Sequence, residues 1–362
     1  MKSNVPPTPA LPKRLSLVAQ TEKSLREGIR TGHWKESLPG ERELCEYLQV
    51  SRRTLRAALG ELQRTGWLEV SQRQRRRIRA SRAALPAAVQ KKTIAVLSPW
   101  SFQALSMPMT FVMDALRDKL AKSGCVVEFH FNRACFSAQP ARALAKLVDS
   151  HPATVWLVFG SKEPMQRWFI GRRLSCLVAG SCAPGIALPS VDVDYRAACR
   201  HAGGVLWRKG HRRLALVQPQ DAYGGDVDGE EGMRESLRGL PGVHFQVLRH
   251  DGTAVHLCTL LDDAMRAPSP PTAFLVARPM HVLTAMMHLL RRGLRIPQDV
   301  AVISRDDAPF LQSTSPSTAR YATNPAVLAR RVFMAVRQLA ETGTVPAQAI
   351  RLMPKFIDGE TV

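Results

Sequence analysis

The amino-acid sequence predicts two folded parts: a small N-terminal α+β domain and a larger α/β domain built from two lobes. Three observations predict this organisation. Positive charge is concentrated at the front of the chain, and apolar residues recur there at helical spacing. From about residue 93 onward, apolar strand-like segments alternate with helical ones. A chain of 362 residues is long enough to bury separate cores for such domains.

The charge of the chain favours a polyanionic partner. The 51 Lys and Arg against 30 Asp and Glu give a net charge of +21, of which residues 1–85 carry +10. Nucleic acid is the first partner to consider and an acidic membrane the second. No apolar run approaches the ~20 residues of a membrane span, and the N-terminus lacks an apolar signal core. Seven scattered cysteines without a CxxC pair are typical of a reducing compartment, so we expect a cytoplasmic protein.

Residues 15–80 begin with two predicted helices, after a proline-rich tail (residues 1–14) that we expect to be flexible. The apolar positions of the first helix fall on one face and comprise Leu15, Val18, Leu25 and Ile29. Pro39 and Gly40 interrupt the chain, and a shorter helix with an apolar face follows them.

A third helix is predicted from Ser51, whose hydroxyl can accept a hydrogen bond from the first turn. Its apolar stripe comprises Leu55, Ala58, Leu59 and Leu62. Arg52, Arg53 and Arg56 cluster at the start of this helix, where the N-terminus favours negative charge. The segments WLEVS and RRIRA around SQRQR then predict a small hairpin. Two helices, a turn, a helix and a hairpin are typical of a winged helix-turn-helix.

The segment LPGERELCEYLQVSRRTLRAALGELQRTGWLEV resembles the DNA-binding head of the GntR regulator family, over roughly residues 15–80. The resemblance implies that five residues of the second and third helices contact the operator: Arg42, Ser51, Arg52, Thr54 and Arg56. Arg53 stands where the family often has a small polar residue, and we include it among the DNA contacts. The chemistry agrees, because arginine pairs with guanine O6 and N7 in the major groove, while hydroxyls and helix N-termini hold phosphates.

The predicted hairpin departs from the family pattern. Its tip reads Gln72-Arg73-Gln74-Arg75, where the family usually carries glycine. We expect Arg73, Arg75 and Arg76 to contact phosphates rather than to read the minor groove. A merely solvated basic face is the alternative for all these arginines, and the intact motif disfavours it.

Residues 81–92 are Ala-rich and carry no strand pattern, and we place the linker there. The α/β domain spans residues 93–362, and its strand-like segments are TIAVLSP, CVVEFHF, TVWLVFG, SCLVAG, RLALVQ, VHFQVL, TAFLVA and VAVIS. Helical faces lie between them, such as Met109, Met113, Leu116 and Leu120 and, later, Leu283, Met286, Met287 and Leu290. Near-continuous apolar strands alternating with helices predict parallel sheets covered on both faces, in two lobes.

The segments WRKGHRRLALVQP and LLRRGLRIPQDVAVISRDD resemble the LacI-type effector domain, which is related to periplasmic sugar-binding proteins. The resemblance covers about residues 92–358. It implies two lobes with a hinge, a small ligand in the cleft and dimerisation through the lobes. Open α/β sheets bind ligands outside the carboxyl ends of their strands. We therefore expect a periplasmic-binding-protein-like domain that takes a sugar or a sugar acid.

The resemblance carries five residues over to this ligand site: Ser98, Trp100, Arg278, Arg305 and Asp306. Asp306 matches the family acid that takes ligand hydroxyls, and residues 98–100 match the loop after the first strand. Four positions depart from the family. Gly229 replaces an arginine, Thr253 an aromatic platform, Arg278-Pro279 an Asn-Asp pair, and Arg305 an aromatic residue.

These departures leave the ligand open. Compared with the family pattern, the pocket lacks side chains that would form paired hydrogen bonds with a sugar, and it has two additional cations. This combination fits a carboxylated or phosphorylated ligand or no ligand at all. Asp306 and Asp307 can also serve as turn or capping residues, and Arg278 and Arg305 can simply pair with them. Trp100 fits a core position as well as a ligand platform.

No motif for catalysis, a cofactor or a metal is found. The Walker A, GxGxxG, GxSxG and HExxH patterns are absent. Asp192 and Asp194 alternate in the extended segment VDVD, but no nucleophile or base is tied to them by a motif. We therefore expect neither an enzyme nor a cofactor.

The sequence thus predicts a cytoplasmic transcription regulator, a repressor that acts as a homodimer on a palindromic double-stranded DNA operator and responds to a small-molecule effector. One alternative keeps DNA binding and makes the α/β domain a dimerisation or protein-contact module without a ligand. The other is a carrier or enzyme with a basic surface. In a dimer on DNA, the two heads must lie about 34 Å apart or a multiple of it.

Overall fold

The computed structural model describes residues 16–30, 33–34, 36–69, 76–78, 92–343 and 348–362. The chain divides into two compact units, residues 1–90 and 91–362. The expected tail, residues 81–91 of the expected linker, and Arg73 and Arg75 lie outside the described residues. The finer domain boundaries stay predictions.

The first unit contains the helices α1 (Leu17–Arg30), α2 (Glu41–Leu48) and α3 (Arg52–Arg64). The whole predicted stripe of α3 is buried and packs with Leu25, Ile29 and Leu44 of the other helices. Gln49 ends α2 in the left-handed conformation, with φ 51°. Ser51 Oγ accepts a 3.2 Å hydrogen bond from the Thr54 N–H, which confirms the predicted helix cap.

A residue that precedes α2 also pairs with the hairpin of the first unit. Leu68 pairs antiparallel with Ile78, as the sequence predicts, and Ser37 pairs antiparallel with Arg77. The sequence analysis missed Ser37, because a single bridge residue before Pro39 has no alternating pattern. The pairing ties the chain just before α2 to the returning limb of the hairpin.

In its described residues, the second unit has two sheets of six strands each. Its strands are β1 (Thr93–Ser98), β2 (Val126–Phe131), β3 (Val155–Phe159), β4 (Cys176–Ala179), β5 (Ser190–Val193), β6 (Arg213–Pro219), β7 (His244–His250), β8 (Ala273–Val276), β9 (Ala301–Ser304), β10 (Ala319–Ala322), β11 (Ala349–Leu352) and β12 (Lys355–Ile357). Its helices are α4 (Met107–Lys122), α5 (Ala141–Ser150), α6 (Glu163–Gly171), α7 (Tyr195–Arg208), α8 (Gly224–Leu237), α9 (Ala254–Arg266), α10 (Pro279–Arg291) and α11 (Pro325–Thr342).

The two sheets define two lobes. The first has the order β11-β5-β4-β3-β1-β2 and the second β12-β10-β9-β8-β6-β7. All neighbours are parallel except β10 and β12. The eight predicted strands are confirmed. Of the other four, β5 was noted only as an extended segment, and the short strands β10, β11 and β12 were missed. The chain passes between the lobes after β5, after β10 and after β11, which provides the hinge connections that the resemblance implies.

One predicted helix face is wrong. In α10 the buried positions are Val282, Ala285, Met286, His288 and Leu289, whereas Met287 is 63% and Leu290 44% exposed. The predicted stripe is therefore rotated by about one residue. The helix is apolar on both sides, so periodicity does not distinguish the face on the sheet from the face in solvent. Within the described ranges, no helix combines the length and apolar character that a membrane span requires.

Candidate functional site

The start of α3 presents a group of cations to solvent. Arg52 and Arg53 are exposed, and neither side chain forms a hydrogen bond or ion pair with another residue that the structure describes. Both follow the Ser51 cap, at the end of the helix where free N–H groups and the macrodipole favour anions. The buried side of the helix holds them on a fixed backbone. Arg42, 85% exposed, lies in the first turn of α2 and pairs with Glu46 at 3.2 Å.

Glu41 joins three elements of the first unit. Its carboxylate accepts hydrogen bonds from Arg56 Nε of α3 at 2.9 Å and from Arg76 Nη2 of the hairpin limb at 3.1 Å. Burial raises the pKa of Glu41, but the two guanidinium groups outweigh it and hold the pKa below its usual value. Arg56 and Arg76 are thereby oriented side by side. The sequence analysis missed this acid, although its place at the start of α2 was available as a signal.

The cleft of the second unit lies at the carboxyl ends of the strands, where the lobes touch. Lys162, after β3, forms an ion pair with Asp221, after β6, and also lies over the Tyr223 ring at 5.1 Å. Trp100, after β1, meets Tyr223 edge to face with ring centroids 6.2 Å apart. The first residue of α8 also approaches the first lobe, since a Cβ on Gly224 would lie 2.4 Å from the Cys182 carbonyl oxygen.

Four charged residues of the second lobe form an ion cluster in this cleft: Asp226, Arg278, Arg305 and Asp306. Asp226 is 1% exposed and accepts 2.8 Å hydrogen bonds from Arg278 Nη2 and Arg305 Nη1. Asp306 accepts from Arg305 Nη2 at 3.3 Å and lies 3.6 Å from Arg278 Nη1. Burial raises the pKa of Asp226, yet the charges of Arg305 and Arg278 hold it well below its usual value. Within the cluster, two carboxylates balance two guanidinium groups.

Two departures from the family pattern are spatially coupled. A Cβ on Gly229 would lie 3.5 Å from Arg305 Nη1 and 3.0 Å from Cys199 Sγ. The guanidinium of Arg305 therefore lies beside the position from which the family's arginine would extend. Arg305 is 2% exposed and lies 4.3 Å from the Tyr195 ring centroid, in a cation–π contact. Arg305, at the end of β9, thus places a cation beside α8 at Gly229.

The first lobe contributes an acid to the same region. Asp192 of β5 is half-buried and accepts hydrogen bonds from Ser181 Oγ at 2.9 Å and from the Val193 N–H at 2.8 Å. Burial raises the pKa of Asp192 to about 6 despite these bonds. A Cβ on Gly225 would lie 3.4 Å from its Oδ2, so α8 approaches it closely. Sequence analysis noted Asp192 but did not place it in the cleft.

The remaining positions of the expected ligand site have local partners. Ser98 is 1% exposed, and its hydroxyl bonds with the N–H and the carbonyl of Trp100, so it shapes the loop. Thr253 caps α9 by accepting a hydrogen bond from the His256 N–H. Asp307 pairs with Arg320 at 2.8 Å rather than with the ion cluster.

Comparison with known proteins finds a family match in each unit. Residues 17–78 match the family "Bacterial regulatory proteins, gntR family", and residues 204–362 match the "Periplasmic binding protein-like domain". Residues 17–78 therefore carry a GntR-type helix-turn-helix domain, and the second unit has a periplasmic-binding-protein-like fold.

Two curated relatives are named as repressors. The chain is 25% identical over 182 residues, 49% of its length, to the HTH-type transcriptional repressor CytR of Escherichia coli K12, of which it spans about half (53%). It is 23% identical over 326 residues to the arabinose metabolism transcriptional repressor of Geobacillus stearothermophilus, covering 83% of this chain and 85% of that protein. The solved CelR–cellobiose complex has a TM-score of 0.66 at 18% identity and covers 96% of this chain and 100% of that one, which shows a shared fold.

Replacing Arg305 by methionine should lower the free energy of unfolding of the second unit by about 3–5 kcal/mol. The variant leaves two buried or half-buried carboxylates with one fewer cation. Chemical denaturation measures the change. Arg337→Met is the matched control, because Arg337 is 61% exposed and pairs on the surface with Glu341. Equal midpoints for both variants would contradict the assigned role of Arg305.

The Asp192→Asn variant should be more stable than the wild type at pH 7–8, by up to about 3 kcal/mol, and lose this gain near pH 4. The folded-state pKa of Asp192 is raised to about 6 from a usual value near 3.8. The wild type therefore loses stability as pH rises through this window, and an amide does not. Chemical denaturation of both proteins from pH 4 to 8 measures their free energies of unfolding. A difference between them that does not change with pH would exclude the raised pKa of Asp192.

Proposed function

We propose that this chain, with a GntR-type head on a LacI-type body, is a cytoplasmic DNA-binding transcriptional repressor under the control of a small-molecule effector. The observation that carries the proposal is the start of α3, where Arg52 and Arg53 are exposed beyond the Ser51 cap while the opposite side of the helix is buried. A helix held in this way can enter a major groove with its guanidinium groups leading. Glu41 keeps Arg56 and Arg76 oriented beside it. The proposal assigns the chain no catalytic role.

The proposed regulator acts as a homodimer on a palindromic operator. Met280 and Met287 of α10 are 61% and 63% exposed and share one side of the helix, with Leu290 beside them. On the first lobe, Met107 and Phe111 of α4 are more than half exposed. Exposed apolar helix faces on both lobes favour a self-complementary contact between two copies. Two-fold symmetry of the dimer would then be matched by a palindromic site.

The effector that we propose is a sugar or a sugar acid in the cleft. Asp306 and Asp192 are acceptors for hydroxyl groups, and the half-buried Arg278 is the cation of the ion cluster that a carboxylate can reach from solvent. Arg305 is enclosed and serves to hold Asp226. The LacI-type relative CelR was solved with cellobiose, which supports a sugar-sized ligand for this fold.

A second candidate has its own support. The ion cluster neutralises itself, and Tyr223 already faces Trp100 and Lys162 across the cleft. These contacts favour a second unit that stays closed without a ligand and serves for dimerisation or protein contact. Both candidates bind DNA, but only the effector-controlled repressor binds a ligand, so separate measurements of DNA binding and ligand binding distinguish them.

Replacing Arg52 by alanine should weaken operator binding by about 1–3 kcal/mol and relax base preference at one position, since a base-edge contact is lost. The operator is first obtained by selecting bound fragments from random DNA. Fluorescence anisotropy then compares the selected and a scrambled duplex at several salt concentrations. Arg76→Ala should weaken both duplexes alike and flatten the salt dependence.

Arg64→Ala is the matched control for Arg52→Ala. It removes the same charge from the other end of α3, where Arg64 is 74% exposed and pairs with Glu61. If Arg52→Ala lowered affinity for both duplexes equally, its base-reading role would be wrong. Weak and equal binding of the wild type to every duplex would exclude the proposed repressor.

A panel of neutral sugars and sugar acids should contain a compound that raises the melting temperature of the wild type but not of Asp306→Ala. Loss of the hydroxyl acceptor removes the ligand's contacts. Arg278→Gln separates the two ligand classes, because a sugar acid loses its counter-charge while a neutral sugar keeps its hydroxyl contacts. If no compound of the panel raises the melting temperature while operator binding is intact, the result would favour a second unit that stays closed without a ligand.

A further inference from the structure

The outer edge of the first lobe carries two histidines and a glutamate that neither the cleft nor the head uses. Glu128 and His130 are alternate residues of β2, so their side chains share one face of the sheet. The strand lies at the edge of the sheet, next to β1. His151 ends the neighbouring helix α5 as its C-cap residue. Strand and helix thus bring three potential ligands together from 24 residues of chain.

The distances between these ligand atoms fit a single ion. Glu128 Oε2 lies 3.5 Å from His130 Nε2 and 3.7 Å from His151 Nδ1. The three ligand atoms all lie within 4.8 Å of one another. A tetrahedral zinc ion with bonds near 2.0–2.1 Å places its ligand atoms about 3.3 Å apart. Two of the three separations are already close to that value, and the third lies within the 4.8 Å limit.

His130 supplies a second, independent observation. Its side chain is only 12% exposed, and Nε2 is buried without a hydrogen-bond partner among the described residues. A buried polar atom without a partner is costly unless something satisfies it. The ring is held in place by Trp156, with centroids 5.8 Å apart, and by His151 at 4.7 Å. Nε2 therefore faces the Glu128 carboxylate, 3.5 Å away, from a fixed position.

We propose that Glu128, His130 and His151 bind one divalent transition-metal ion of the zinc class. Two imidazoles and one carboxylate are ligands that zinc accepts, and hard cations such as calcium instead prefer oxygen ligands. Glu128 and His151 are 40% and 46% exposed, so the ion reaches the site from solvent and keeps a water-accessible position. Bound there, it links the edge strand β2 to the end of α5. The site is independent of the proposed repressor function.

The test uses the full-length chain after removal of metal with a chelator. Titration with Co²⁺ should give one equivalent of visible d–d absorption from nitrogen and oxygen ligands, without a thiolate charge-transfer band. This distinction matters because seven free cysteines compete for metal. Zn²⁺ should displace the Co²⁺ and raise the melting temperature, since it binds the folded state.

His151→Ala and Glu128→Gln should each lower Zn²⁺ affinity at least about tenfold, because each removes one of three ligands. His244→Ala is the matched control: His244 is an exposed histidine on the edge strand of the other lobe. Circular dichroism establishes that the variants are folded. Equal Zn²⁺ affinity of His151→Ala and the wild type, or a thiolate band in the Co²⁺ spectrum, would overturn the proposal.

Discussion

The burial of the Asp226 carboxylate constrains the whole cleft. Asp226 lies in the first turn of α8, and the Tyr223 N–H donates to it at 3.0 Å, as do the guanidinium groups of Arg278 and Arg305. These arginines follow β8 and β9, so one carboxylate fixes the ends of two strands against a helix. A buried charge is tolerated only with such partners. Any effector entering the cleft must leave these partners in place or supply equivalent ones.

The head contains a similar arrangement that contributes less to stability. Glu41 holds Arg56 and Arg76 as Asp226 holds Arg278 and Arg305, but its side chain is 29% exposed. Solvent screens such a pair, so its contribution to stability is small. In the proposed DNA-binding surface its effect would be to orient Arg56 and Arg76 side by side before DNA binds. The buried Asp226 pairs stabilise the fold, whereas the partly exposed Glu41 pairs mainly orient two side chains.

Control of DNA binding by a ligand requires that the ligand prefer one arrangement of the lobes. Polar and aromatic contacts cross the cleft, among them the Lys162–Asp221 ion pair and the Trp100–Tyr223 ring contact. Such contacts can exchange for ligand contacts at small net cost in free energy. The chain passes between the lobes three times, so a change in lobe closure would require bending at these three connections.

The sequence by itself determined the helix-turn-helix with its Ser51 cap and buried stripe, and the eight apolar strands, because these depend on local periodicity and capping. It also identified Arg278, Arg305 and Asp306 and noted that they could pair. Only the tertiary structure decided that Asp226 is their shared partner, that Arg305 lies beside Gly229, and that Asp192 comes from the opposite lobe. The short strands β10 to β12 and the outer face of α10 were settled in the same way. Their partners are distant in sequence, and pairing or burial between distant segments leaves no periodic signal in either one.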